Sequence, residues 1–144
     1  MFVDVVHHGG VPALEKMLAF TEARHRVLTE NIANVDTPGY VTRQLDPRMF
    51  QRALRKAIDA SRESGDPVLH VESTRQFRTT ADGSLEVTPV AEPAENVLFH
   101  DGTNGQIERQ MAMLAENAMM HQTVTELLRS RFESMVSAIR GTVR

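Results

Sequence analysis

Both ends of the chain carry a narrow apolar stripe at alternating steps of four and three residues. That spacing constrains the fold more than any other feature of the sequence. After Pro12 the stripe runs Leu14, Leu18, Thr21, His25, Leu28, Ile32 and Val35. Near the other end it runs Ile107, Met111, Leu114, Ala118, His121, Thr125, Leu128, Phe132, Met135 and Ile139. A four–three alternation keeps side chains on one face of a helix, as in a coiled-coil seam. Neither Gly nor Pro interrupts 106–140, and Gly141 is placed to cap the helix end. The expected fold is mainly α: two long terminal helices, 12–35 and 106–140, forming a coiled-coil-like bundle. One antiparallel register sums paired positions to 146, setting His25 against His121 and Thr21 against Thr125.

The middle, 36–105, holds most of the prolines and turn signals and is expected to be short and irregular. Phe50, Leu54 and Ile58 mark a short amphipathic helix over about 47–61, with Arg48, Arg52, Arg55 and Lys56 on its other faces. Those cations read first as a solvated face, and otherwise as a surface for an acidic partner or peptidoglycan. "SRESGDP" reads as a linker, and Asp82-Gly83 as the turn of a small β-hairpin. With 144 residues the chain is expected to form one domain. Aromatic residues are only 5%, so the expected core relies on Leu, Ile, Val and Met.

Several chemistries are excluded or left weak. A net charge of −3 does not suit non-specific nucleic-acid binding, and the absence of Cys removes disulfides and thiol chemistry. The start, MFVDVVHHGG, lacks a basic n-region and carries Asp4, so it does not read as a cleavable secretory signal. His7-His8 could grip a metal but lacks a spaced third ligand or carboxylate, and a disordered or packed terminus is the simpler reading. Glu22, Glu30 and Glu116 read as solvated charge. His25 and His121 could form a pH-sensitive pair, or serve as satisfied interface histidines. The methionines at 111–120 read as gap fillers. No catalytic, cofactor or metal site and no small-molecule substrate emerges.

Residues 31–40, NIANVDTPGY, need an explanation of their own. Asp-Thr-Pro-Gly also occurs in GTP-binding loops, but those need a P-loop upstream, and neither Lys16 nor Lys56 follows a glycine. The alternative is a corner. Pro38 disfavours helix at Thr37, and Thr37-Pro38-Gly39-Tyr40 places Pro and Gly as a type II turn requires. Asn31 and Asn34 then lie one turn apart, where their amides can bond helix-end carbonyls or a packed neighbour.

The stretch "LTENIANVDTPGYVTRQL" closely resembles the signature of flagellar axial proteins, the rod and hook family. Asn31, Ile32, Ala33, Asn34, Thr37, Pro38, Gly39 and Tyr40 match it position by position, and Asp36 and the small size point to the shortest rod subunits. The stretch "DGTNGQIERQMAMLAENAMMHQTVTELLRSRFESMVSAIRG" resembles their closing helix. Gln110 departs from the acidic residue usual there, and Gly105 from a branched or polar one.

The resemblance implies a structural subunit without catalysis or cofactor, exported uncleaved by the flagellar type III apparatus. Such a subunit polymerises into a hollow rod across the periplasm. It implies partners among other copies of itself, neighbouring rod subunits and the adaptor at the inner-membrane ring. The competing readings are another short rod subunit of the same family and a stand-alone helical export chaperone or adaptor, the latter of which would not need the corner. On the rod reading, both terminal helices are expected to order fully only on assembly.

Overall fold

A computed structural model describes residues 10–66, 68–92 and 102–141. Its elements are α1 (Gly10–Ala33), β1 (Arg43–Gln44), α2 (Pro47–Ser64), β2 (Phe77–Thr79), β3 (Leu85–Val87), β4 (Val90–Ala91) and α3 (Gly102–Ile139). The chain is mainly helical, with two long terminal helices and small antiparallel strand pairs between them. α1 and α3 pack along each other and run antiparallel, since Thr21 meets His121 while Asn31 meets Gln110.

Asp46 shows why α2 begins where it does. Its Oδ1 accepts from the amides of Arg48 at 2.8 Å and Met49 at 3.2 Å, and Pro47 occupies the first turn, where a missing N–H costs nothing. The helix runs through Ser64, so the first residues of the expected linker are helical. It ends at Gly65, whose φ of 72° is the left-handed cap conformation. Asp46→Ala should cost about 1 kcal/mol, the usual value of an N-cap, measured by urea unfolding of the full chain.

β2 and β3 form the hairpin around Asp82-Gly83, pairing Phe77 with Val87 and Thr79 with Leu85. β1 pairs with β4, which folds the chain after the corner back under the middle segment. The expectation of a core without aromatics is corrected. Phe20 of α1 stacks on Phe50 of α2 with ring centroids 4.1 Å apart, and Phe50 meets Phe77 of β2 edge to face at 5.5 Å. Three phenylalanines from three elements meet at one point, so a low overall aromatic content was a poor guide to their local concentration.

α1 is therefore covered on two sides. Lys16 and Phe20 reach the middle segment, Lys16 through Nζ donating to the Gly83 carbonyl at 2.6 Å. Thr21, Arg24 and Asn31 reach α3. Burial lowers the Lys16 ammonium from its ordinary value, with Glu15 and Asp82 pulling it back up. α1 belongs to the core of the chain itself, whereas the last turns of α3 do not.

Candidate functional site

The corner is built around Asn31, which is 3% exposed. Its Nδ2 donates to the Arg43 carbonyl at 2.7 Å and to Gln110 Oε1 at 3.3 Å. Its Oδ1 accepts from the Tyr40 hydroxyl at 3.0 Å and the Arg43 amide at 3.1 Å. One side chain thus fastens the end of α1 to β1, to the chain's only tyrosine and to α3. The two donors and both lone-pair positions of its amide are used. Gln110 supplies the acceptor from α3.

Asn34 acts more locally. Its Nδ2 donates to the Glu30 carbonyl at 2.9 Å, and its Oδ1 accepts from the Thr37 hydroxyl at 3.4 Å. The Tyr40 amide donates to the Thr37 carbonyl at 3.1 Å across Pro38 and Gly39, and Gly39 has φ 77°. That is the bond and the backbone sign a type II turn needs. Ile32 and Val35 are half-buried, while Ala33, Asp36, Thr37, Pro38 and Gly39 are exposed. A Cβ at Gly39 would meet nothing within 4 Å, so only the backbone conformation restricts this position. Gly39→Val should cost about 1–2 kcal/mol or more, and Gly39→Asn should cost less, because Asn tolerates left-handed geometry. Equal unfolding midpoints for the two variants would contradict that account.

The seam needs a correction of one residue. Leu14, Thr21 and Leu28 on α1 are buried as expected, and Leu114, His121 and Leu128 on α3 are half-buried. The alternate positions are not Leu18, His25 and Ile32 but Met17, Arg24 and Asn31. On α3 they are not Met111, Ala118 and Thr125 but Gln110, Asn117 and Val124. His25 and Met111 face out, and Leu18 and Ile107 are half-buried. An apolar template steps over Arg24, Asn31, Gln110 and Asn117 because each is polar. They are buried because each bonds or pairs across the seam.

The register is corrected with it. Thr21 lies against His121, Oγ1 to Nδ1 at 3.0 Å, and Asn117 Nδ2 donates to the Thr21 carbonyl at 2.9 Å. The Thr21 hydroxyl also reaches the Leu18 carbonyl at 2.9 Å, so donating there leaves its oxygen to accept from an Nδ1–H of His121. The two histidines do not pair. His121 sits one turn of α1 away from the partner expected for it.

Phe132 lies level with the start of α1 and Met135 and Ile139 beyond it, all exposed together with Val136. Pairing Thr21 with His121 puts Gly10 level with about residue 132, which is why nothing in α1 covers them. His7-His8 lies outside the described residues. Among the described residues no three His, Cys, Asp or Glu side chains cluster as metal ligands, and no helix is long and apolar enough to cross a membrane.

The chain is 27% identical over 139 residues to "Flagellar basal body rod protein FlgB" of Yersinia enterocolitica, covering 92% of this chain and 94% of that protein. It is 27% identical to the protein of that name from Salmonella typhimurium over 88% of this chain and 90% of the other, and 25% identical to that from Bacillus subtilis over 92% and 95%. No family model matches the chain, and no solved structure matches it significantly. In sequence the chain is thus similar to flagellar basal body rod proteins. Within that class it is similar to the FlgB subunit along nearly its whole length.

Proposed function

We propose that the chain is a structural subunit of the bacterial flagellar basal body rod. It polymerises into the hollow drive shaft that crosses the periplasm and serves flagellum-dependent motility. The observation that carries the proposal is the Asn31 knot. It locks the two terminal helices at an exposed turn and leaves the far end of α3 bare. A helix that extends beyond its own partner, with Phe132, Met135 and Ile139 exposed, is suited to bury that face against another subunit. Its role is then architectural rather than catalytic. Its partners are other copies of itself, neighbouring rod subunits and the adaptor at the inner-membrane ring. The flagellar type III apparatus exports it to that position without cleavage.

The test is electron microscopy of isolated basal bodies from cells carrying a tagged chain, together with swimming assays of the deletion strain. The tag should lie on the rod, and the deletion should be non-motile and restored by the untagged gene. A chain recovered as a soluble dimer, with rods intact in its absence, would instead identify a stand-alone export module.

A further inference from the structure

Arg24 is an arginine with a nitrogen left over. The residue is 4% exposed, and Nη1 is buried without a hydrogen-bond partner. Its nearest acid, Glu116, lies 3.9 Å from Nη2, too far for a hydrogen bond. Burial lowers the guanidinium from its ordinary value, and the carboxylates of Glu116 and Asp46 draw it back only in part. A buried cationic donor left unmatched is costly unless something else comes to it.

Arg24 lines a cleft of about 280 Å³ between α1, the β1 segment and α3. Arg43 and Arg48 line the same cleft and have no ion pair among the described residues. The acids there are largely committed. Glu92 accepts from Arg109 at 2.8 Å, and Asp46 caps α2. The lining sets Arg24, Arg43 and Arg48 against Asp46, Glu92 and Glu116, and because Arg109 pairs with Glu92 one positive charge is left over, while Glu92 and Glu116 remain to oppose a multiply charged anion. A single planar carboxylate matches both the charge and the fork of a guanidinium.

We infer that this cleft is a carboxylate-binding site, with Arg24 at its floor and Arg43 and Arg48 at its rim. The carboxylate comes either from an acidic side chain of an adjoining subunit or from a free organic anion. The first source rests on the rod reading, whereas the site itself does not.

The probe for the site is acetate, measured on the full-length isolated chain by thermal unfolding against chloride at matched ionic strength. At about ten times Kd, acetate should raise the Tm by roughly 3–6 °C. Arg24→Met keeps the length of the side chain and should remove that rise. Should Arg24→Met fail to fold, Arg48→Ala at the rim should weaken acetate binding several-fold in a folded chain. An equal response to acetate and chloride, or an undiminished acetate response in a folded Arg24→Met or Arg48→Ala chain, would overturn the site. A photo-crosslinking residue at position 48 in assembled basal bodies then separates the sources. A crosslink to a second polypeptide identifies a neighbour's acidic side chain, and an acetate response with no crosslink identifies a free anion. If the chain is absent from the rod, the acetate measurement still decides the site.

Discussion

Asn31→Leu should destabilise the full chain by roughly 3–5 kcal/mol and abolish motility. The leucine is close to the same size but makes none of the four hydrogen bonds. It leaves the Tyr40 hydroxyl, the Arg43 amide and carbonyl and Gln110 Oε1 each short of a partner inside the corner. A buried polar group left unpaired costs about 1–3 kcal/mol, and groups sharing one side chain relax together, so the total falls below the sum. Tyr40→Phe removes one hydroxyl along with its bond and should cost only about 1 kcal/mol. Asn31→Asp is a sharper comparison. It keeps the acceptor for Tyr40 and Arg43 but turns a charge toward the Arg43 carbonyl and Gln110 Oε1, so it should also be severely destabilised. Urea unfolding reads all three. If Asn31→Leu cost no more than Tyr40→Phe, the knot would be a surface contact and not the fastening of the two helices.

The corner was legible in the sequence because its signals are local. Pro38 and Gly39 dictate the turn, and two amides one helical turn apart announce a helix end that needs partners. What the sequence did not disclose was which amide reaches across. Asn34 bonds within its own turn, while Asn31 spans to Arg43 and to Gln110 on α3. Nothing local separates these two roles. The one-residue error in the seam has the same origin. A search for apolar periodicity prefers Leu18 to Met17 only weakly, but His25 to Arg24 and Met111 to Gln110 follow from treating strongly polar residues as outward-facing. Arg24 and Gln110 are nonetheless buried, held by contacts that depend on the partner helix. The register was misjudged because heptads define it only modulo a shift, and Asn117 with Thr21 makes the choice. The phenylalanine cluster was hidden because Phe20, Phe50 and Phe77 are far apart in the chain and only the fold brings them together.

Replacing Phe132 and Ile139 together by Asp should leave folding nearly unchanged and prevent incorporation into the rod. The two positions are 46% and 86% exposed, so their side chains contribute little to the fold, and the change in unfolding free energy should stay within about ±0.5 kcal/mol per site. Assembly is another matter. If a neighbouring subunit covers this end of α3, two carboxylates enter an apolar contact with no cation supplied to meet them, and the desolvation cost acts only in the assembled state. The expected result is a folded, exported chain absent from basal bodies and a non-swimming strain. Limited proteolysis of the isolated chain adds an independent reading. The exposed stretch 129–141 lacks cover from α1, so cleavage should begin there, while α1, held between α3 and the phenylalanine cluster, resists. Trimming of α1 at the same rate would mean that its two-sided burial does not hold the helix in the free chain. Normal swimming by the doubly substituted strain would mean that subunits meet elsewhere, and the bare end of α3 would then need another explanation.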